Sequence, residues 1–346
     1  MKRVLIVGGG FQSLIITKLL NEYGSRPSII DSMILGGTIS SFKADSFIID
    51  KVPFFLWSRD DVNKLCSIIG EFETVDVNIE PTILKPGPLL NKAWARKVSE
   101  NIEKPWPLKW KGRLFYPKNG WYEIFHRFTT NLKYGHIPLR LKSINLNNKL
   151  LKLTRKSKTN YDILISTIPL IDFIKMIDLE ALNLTPLNVD VKYSHMISIS
   201  LGIRGKDPEW ILAYHGGTGM LPHTMIVMSK VTKLIIPENH FTITSIISYS
   251  EERPLRAGFL EQVESQLKRR GIISSVKNIV VERVFNIKYA CINPKDISDE
   301  YLTKLKNELS NYHVFLYGRL ANWREYSISE LIEEAKNIVN QISEIL

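Results

Sequence analysis

The first 37 residues constrain the fold of this chain more than any other segment. A short apolar run at 2–7 is rich in branched residues, which is typical of a buried parallel strand. Three consecutive glycines follow at 8–10, and apolar side chains then recur at helical spacing over 14–20. A second short strand at 28–30 ends at Asp31. The order strand, glycine turn, helix, strand and acid predicts a βαβ unit built to hold a dinucleotide.

The glycine turn gives this prediction its chemistry. Gly8 and Gly10 allow a tight turn and a close approach of the backbone to a pyrophosphate, which would lie at the positive end of the next helix. Asp31 follows Gly8 by 23 residues, where a carboxylate accepts hydrogen bonds from a ribose hydroxyl. Ser13 departs from the pattern, because it stands where GxGxxG has its third glycine. The predicted contacts are Gly8, Gly10, Phe11, Gln12, Ser13 and Asp31, and the simpler alternative is a glycine-rich turn in an ordinary α/β domain.

Composition limits the other classes of protein. At 346 residues and 44% hydrophobic content, the chain can build a large core in one or two domains. No apolar window approaches the roughly 20 residues of a membrane span, and we expect no transmembrane segment. Cys66 and Cys291 lie far apart in sequence without metal-ligand neighbours, so neither a metal site nor a disulfide is expected. A reducing, cytoplasmic location is the default.

The positive charge of the chain has two interpretations. The net charge is +11 and the isoelectric point is about 9.4, but the cations are scattered. Their one dense cluster, at 149–158, alternates with apolar residues in the manner of an exposed hairpin. We therefore expect no dedicated nucleic-acid surface, and we expect the positive field to help hold an anionic cofactor or substrate.

The remaining patterns predict an α/β protein with two domains. The first sheet would gain a buried-type strand at 161–169 and a short strand at 314–317. A long closing helix from about 327 to 345 would complete the first domain. Antiparallel-type patterns dominate 171–294, and proline and tryptophan interrupt 71–111. The predicted domains are a discontinuous Rossmann-like domain at 1–70, 112–170 and 295–346, and a smaller mixed α+β substrate domain at 71–111 and 171–294.

Several motifs together resemble the flavin-dependent amine oxidase superfamily, which includes protoporphyrinogen oxidase-like and phytoene desaturase-like enzymes and UDP-galactopyranose mutases. The carriers are VGGGFQS at 7–13, Asp31, GGT at 36–38, FIID at 47–50, YPKNGWYEIF at 116–125, ILISTIP at 163–169 and YGRLANWREYSISELIEEA at 317–335. The resemblance implies an FAD-binding domain of the GR2 type with FAD as cofactor. It also implies an oxidoreductase that oxidises a small or lipid-like substrate by hydride transfer to flavin.

The same resemblance assigns further cofactor contacts. The second glycine turn, with Gly36, Gly37 and Thr38, would approach the cofactor, and Arg319 after Gly318 would face the flavin or its diphosphate. The start of the closing helix would point N–H groups at the pyrimidine edge of the flavin. That assignment falls on Ser327 and Ile328.

Candidates for contact with substrate are Trp323, Tyr326, His215 and His223. Each has a simpler interpretation. Trp323 and Tyr326 would serve equally well to pack the closing helix. His215 lies in a glycine-rich loop and His223 follows a proline, where a histidine is more often solvated than catalytic.

Two alternatives remain open within this fold. In a mutase the residue after Arg324 should be tyrosine, and here it is Glu325. An arginine expected in the middle of the chain is replaced around His223, so contacts to the two phosphates of a sugar nucleotide would be lost. The second alternative is a non-catalytic carrier similar to GDP-dissociation inhibitors, which the retained glycines, Asp31 and Arg319 disfavour. NAD(P) in place of FAD is disfavoured by the second glycine turn and the GR segment.

Overall fold

The computed structural model describes residues 2–33, 35–85, 111–179, 182, 184, 191–216 and 218–345. The helices are α1 Phe11–Glu22, α2 Arg59–Ile69, α3 Gly120–Asn131, α4 Leu170–Ile174, α5 Phe259–Arg269, α6 Asp299–Ser310 and α7 Ile328–Ser343. The strands are β1 Val4–Val7, β2 Ser28–Ile30, β3 Ser41–Ala44, β4 Phe47–Asp50, β5 Thr74–Ile79, β6 Thr82–Lys85, β7 Gly112–Pro117, β8 Gly135–Ile137, β9 Leu141–Asn145, β10 Leu150–Leu153, β11 Lys158–Asn160, β12 Ile163–Ser166, β13 Tyr193–Arg204, β14 Leu212–His215, β15 Thr224–Val227, β16 His240–Tyr249, β17 Ile279–Ile292 and β18 Val314–Leu316.

A parallel sheet forms the first layer, with strand order β18-β12-β1-β2-β8. In the register of the pairs, Leu5 lies opposite Leu164 on one side and Ser28 on the other. All four residues of β1 are buried, which agrees with the continuous apolar run in the sequence. Because parallel strands end at the same edge, the residues that follow β1, β2 and β12 come together there.

The two faces of this sheet are covered by different elements. Ile6, Ile29 and Ile165 belong to a core that also contains buried side chains of α1, α2, α3 and α7. On the other face, Leu5 and Leu164 pack in a core with α4, α6 and the three-stranded sheet β11-β10-β9. The alternation of side chains along each strand therefore explains why helices cover both sides of the parallel sheet.

A second sheet has the order β17-β13-β16-β15-β14-β6. Its pairs are antiparallel except for β14 with β6, and the pair β13 with β16 aligns His195 with Tyr249. One face packs against α5, whereas Met196 and other residues of the opposite face join the core of the parallel sheet. Helix α5 begins at Phe259, directly after Gly258, which adopts a left-handed conformation with φ of 75°.

The edge strand β17 carries a bulge that shapes the site. Ser194 pairs with Cys291 and Met196 with Ile287, so the residues 288–290 stand opposite His195 alone. Tyr289 within the bulge has a φ of 51°, a conformation that is strained for a non-glycine residue. A bulge of this kind bends its strand and redirects the local backbone.

The fold class predicted from the sequence is confirmed: a parallel Rossmann-like sheet is joined to a second sheet with mixed α and β elements. The strands of the parallel sheet come from 4–30, 135–166 and 314–316, and those of the second sheet come from 82–85 and 193–292. The exact domain limits stay a prediction, and residues 86–110 of the expected insertion lie outside the described part of the chain. Within that part, no helix is long and apolar enough to cross a membrane, and no cluster of histidine, cysteine and acidic residues suits a metal ion.

Asp50, the last residue of β4, carries a buried carboxyl group. It accepts hydrogen bonds from Ser41 and, at 2.6 Å, from the Tyr116 hydroxyl. Burial raises the pKa of Asp50 to about 6, although the two hydrogen bonds act in the opposite direction. The folded protein therefore holds a proton on Asp50 over a pH range in which the unfolded chain has released it.

We predict that Asp50 makes the folded state less stable as pH rises from about 4 to about 6. Over this window the folded state binds more protons than the unfolded state, so the free energy of unfolding falls, by about 2–3 kcal/mol. Asp50→Asn should flatten this slope in denaturant titrations at several pH values. Asp45→Asn, at an exposed turn that asparagine also tolerates, is the matched control. Equal slopes in wild type and Asp50→Asn would contradict the prediction.

Candidate functional site

A cleft of about 530 Å³ opens at the carboxyl edge of the parallel sheet. Its walls come from the two glycine turns, from the bulge of β17 and from the segment that leads into α7. Most of the lining is apolar, with Phe54, Trp57 and Met196 among the contributing side chains. The cleft is therefore the place where the predicted dinucleotide motif meets the second sheet.

Backbone alone can form the first glycine turn. Gly8 has a φ of 100°, which L side chains rarely adopt. A Cβ on Gly9 would lie 2.6 Å from Cδ2 of Leu35 and 3.0 Å from the Cβ of Asp31. A side chain is thus strained at Gly8 by the backbone conformation and is crowded at Gly9 by its neighbours, and glycine at both positions leaves the backbone open to the cleft.

The second glycine turn rests directly on the first. The Gly36 N–H donates to the Gly9 carbonyl oxygen at 2.6 Å. A Cβ on Gly37 would lie 3.1 Å from the Cα of Gly10, and both Gly36 and Gly37 have positive φ. The prediction that these glycines and Thr38 approach the same site as the first turn agrees with the cleft, which all of them line.

Asp31 is fixed at the cleft by two backbone groups. Its Oδ2 accepts a hydrogen bond from the Gly9 N–H at 2.5 Å, and its Oδ1 accepts one from the Met33 N–H at 2.7 Å. Each carboxylate oxygen can accept a further hydrogen bond. The carboxylate is therefore oriented before any ligand arrives.

Ser13 supports the turn from below and does not line the cleft. Its side chain is fully buried, and its hydroxyl donates to the Gly8 carbonyl at 2.6 Å. The same oxygen lies 3.0 Å from Oγ1 of Thr167, which donates to the Val7 carbonyl. Ser13 thus supports the turn and is not itself a cofactor contact as the sequence predicts, and these bonds explain why serine is accepted in place of glycine.

We predict that Ser13→Ala lowers the free energy of unfolding by about 1–2 kcal/mol, because the partly buried Gly8 carbonyl loses the hydrogen bond from the buried Ser13 hydroxyl. Chemical denaturation measures this directly. Ser67→Ala is a matched control, since Ser67 also donates from a helix to a backbone carbonyl but is exposed. A loss no larger than that of the control would mean that the turn does not depend on the Ser13 hydroxyl.

The start of α7 is already capped by the protein. Ser327 and Glu330 form a reciprocal capping box, in which each side chain accepts from the other backbone N–H. The backbone N–H and the hydroxyl of Ser329 both donate to Oδ1 of Asp61, at 2.9 and 2.8 Å. Ser327 and Ile328 line the cleft, and their contact with a cofactor stays a prediction. The helix end nevertheless offers less positive charge to a ligand than the sequence implies, because two carboxylates bind its N–H groups.

Arg319 lines the cleft but is held by protein groups on several sides. Its Nε and Nη2 donate to the two carboxylate oxygens of Glu325, at 2.8 and 2.7 Å. Its Nη2 and Nη1 also donate to the carbonyls of Ala290 and Tyr289, at 2.9 and 3.3 Å. Arg319 therefore joins the GR segment to the bulge of β17.

Gly318 does not line the cleft. A Cβ on Gly318 would lie 2.9 Å from Cγ of Gln12. The Gly318 N–H donates to Oε2 of Glu334 at 3.1 Å. The other oxygen of Glu334 accepts from Nδ2 of Asn322 and from the Tyr326 hydroxyl. Glu334 is thus the carboxylate that holds the loop 318–326 in place, and burial raises its pKa.

Of the four predicted substrate contacts, Tyr326 lines the cleft. Trp323 is buried, and its Nε1–H donates to the Asn293 carbonyl at 3.0 Å, which is a packing role. His215 and His223 are buried in the second sheet away from the described cleft lining. His223 contacts Thr224 and Ser248, and Nε2 of His215 lies 3.4 Å from Nη2 of Arg270. The structure thus does not bring Trp323 or the two histidines to the site.

The cleft also contains residues that were not singled out as site residues. Thr167 lies in the ILISTIP motif, directly after strand β12. Its position at the carboxyl end of a predicted parallel strand is the sequence feature that indicates a place in the cleft. Lys288 and Tyr289 reach the cleft through the bulge of β17, which no sequence pattern indicated. Glu325 also lines the cleft, and in the sequence it stands out only as a departure from the mutase motif.

A parallel sheet with two glycine turns at its carboxyl edge, covered by a second sheet, defines a dinucleotide-binding fold of two parts. Solved structures share it at low sequence identity. UDP-galactopyranose mutase in its reduced form is 15% identical, with a TM-score of 0.80 over 100% of this chain and 96% of that one. A protoporphyrinogen oxidase-like protein from Exiguobacterium sp. 255-15 is 12% identical, with a TM-score of 0.73 over 100% and 99%.

A third similar structure is a fatty acid isomerase from P. acnes, at 12% identity and a TM-score of 0.69, with 98% of each chain covered. No protein-family model and no curated protein matches the sequence. The resemblance inferred from the motifs is therefore confirmed at the level of the fold, which this chain shares over its full length.

Proposed function

We propose that this protein is an FAD-dependent oxidoreductase that oxidises a small or lipid-like substrate by hydride transfer to the flavin. The observation that carries the proposal is the contact between the two glycine turns beneath a cleft that contains an oriented carboxylate. The motifs that resemble flavoproteins and the shared fold of the neighbouring structures support it.

The residues present suit FAD. Gly9 and Gly37 line the cleft without side chains, and a diphosphate needs such close approach to backbone N–H groups. Asp31 has remaining acceptor capacity for ribose hydroxyls. Farther along, the apolar wall with Phe54, Trp57 and Met196 suits a planar ring and a substrate of low polarity.

In this proposal, bound FAD supplies the hydride acceptor. The protein supplies binding, orientation and exclusion of water. Asp31 binds the ribose, and the apolar walls keep water from the reacting groups. The Tyr326 hydroxyl donates to Glu334 at 3.2 Å, so it is set to accept a hydrogen bond from a substrate N–H or O–H group. Burial and Glu334 raise the pKa of Tyr326, which keeps this hydroxyl protonated at neutral pH.

The test of the proposal is a visible absorption spectrum of the purified protein, taken before and after incubation with FAD and removal of excess. We expect flavin bands that persist after removal. Anaerobic screening of amines, porphyrinogens, polyenes and UDP-sugars for bleaching then addresses the substrate. A folded protein that retains no flavin would contradict the proposal and favour the carrier or a nicotinamide ligand.

We predict that Asp31→Ala weakens FAD binding by about 1–3 kcal/mol, because the ribose hydroxyls lose their acceptor and the Gly9 N–H loses its partner. Fluorescence titration of the apoprotein with FAD gives the affinity. Asp162→Ala is the matched control: Asp162 accepts from the Arg3 N–H but lies at the other end of the same parallel sheet. Equal affinity in wild type and Asp31→Ala would remove Asp31 from the site.

A mutase activity is the second candidate, and the TM-score of 0.80 to UDP-galactopyranose mutase favours it. Glu325, where the mutase motif has tyrosine, argues against it, since a carboxylate repels the phosphates of a sugar nucleotide. Conversion of UDP-galactopyranose to its furanose form by the reduced, FAD-loaded protein would establish the mutase and displace the oxidation.

A further inference from the structure

The ion pair between Arg319 and Glu325 lies in the wall of the cleft, beside the bulge of β17. Both carboxylate oxygens of Glu325 are engaged by the guanidinium, which is the bidentate geometry that arginine also uses to bind phosphate. The protein thus places its own anion on the face of Arg319 that a phosphate or carboxylate ligand would need.

Protein acceptors already take up most of the N–H donors of Arg319. A guanidinium has five N–H donors. Four hydrogen bonds go to the two oxygens of Glu325 and to the carbonyls of Ala290 and Tyr289. Within the described chain this leaves one N–H group, which suffices for a single hydrogen bond to a neutral acceptor but not for bidentate capture of an anion.

The charged side chains that line the cleft also disfavour an anionic ligand. Among the described residues that line it, three side chains are acidic and two are basic: Asp31, Glu325 and Glu330 against Lys288 and Arg319. Lys288 and Glu330 are exposed, whereas the side chain of Arg319 is only 25% exposed. The cleft is therefore not cationic, although the whole chain carries a net charge of +11.

We infer that Glu325 is a specificity-determining residue: it neutralises Arg319, so that the cleft accepts an uncharged substrate and rejects one that carries a phosphate or carboxylate. The inference rests on the proposed function for the identity of the site. It replaces the expectation from net charge that the substrate is anionic. Glu325 would act through its ion pair with Arg319 and not by contact with the reacting atoms.

Glu325→Gln tests this directly, because glutamine keeps the size of the side chain and one acceptor oxygen while removing the charge. The probe is inorganic phosphate, compared with chloride at equal ionic strength. Binding is followed in the FAD-loaded protein by the perturbation of the flavin spectrum and by the rise in melting temperature with phosphate concentration. FAD content is measured separately from the visible absorbance.

We expect Glu325→Gln to bind phosphate at least about tenfold more tightly than wild type, which corresponds to about 1.4 kcal/mol. Glu300→Gln removes the same charge at an exposed position of α6 and should behave as wild type. The gain should disappear in the double variant Glu325→Gln with Arg319→Gln. Glu325→Asp, which keeps the charge, should show no gain.

Two outcomes would overturn the inference: wild type that binds phosphate as tightly as Glu325→Gln, or a gain that persists without Arg319. If Glu325→Gln does not fold, Glu325→Ala takes its place, and wild-type phosphate affinity equal to that of Glu325→Ala overturns the inference equally. If wild type retains no FAD, the proposed oxidoreductase fails. The phosphate comparison by melting temperature still decides the role of Glu325, so the two failures are distinguishable.

Discussion

The contact between the two glycine turns is the constraint on which the rest of the site depends. The hydrogen bond from Gly36 to Gly9 and the approach of Gly37 to Gly10 hold the backbones of the two turns in direct contact. The first turn is set by the end of β1, and the second is thereby fixed relative to the parallel sheet. The β3–β4 hairpin continues from the second turn, so its position follows as well. A flat backbone surface at the strand ends is the result, with Asp31 tied to it through Gly9.

Above this surface, carboxylates of the protein itself satisfy groups that the closing motif would otherwise present to a ligand. Asp61 binds Ser329 at the start of α7, and Glu334 binds Gly318 and Tyr326. Glu325 binds Arg319. Such bonds order the segment before a ligand arrives, which reduces the entropy lost on binding. They also weaken the positive field that helix ends and arginine would provide, so the closing segment contributes shape more than charge.

The sequence was sufficient for the βαβ unit and for the first turn, because local signals specify each of its parts. Branched residues in β1, the glycines directly after it and the acid directly after β2 each mark the element beside them. The edge strand β8 has no such signal, and the sequence did not predict its place in the parallel sheet. The bulge that brings Tyr289 into the cleft depends on the mismatch between β13 and β17, which are about 90 residues apart, and no local pattern reports it. His215 and His223 were misplaced for a related reason. Nearby glycine and proline suggest loops, whereas the strands β14 and β15 bury both side chains through pairings made elsewhere.

Total charge fails as a guide to this cleft because charge acts locally. In salt at physiological strength, exposed charges are screened over roughly 8 Å, so cations on a distant surface contribute little inside a cleft. Part of the positive charge lies on the small sheet β11-β10-β9, where Lys152 is directly opposite Lys158 on neighbouring strands. The field in the cleft is set instead by pairs such as Arg319 with Glu325, whose separation of 2.7 Å is far shorter than the screening length. A chain can therefore be strongly basic overall and still line a cleft with no excess of positive charge, and at Arg319 the residue that decides this is its partner Glu325.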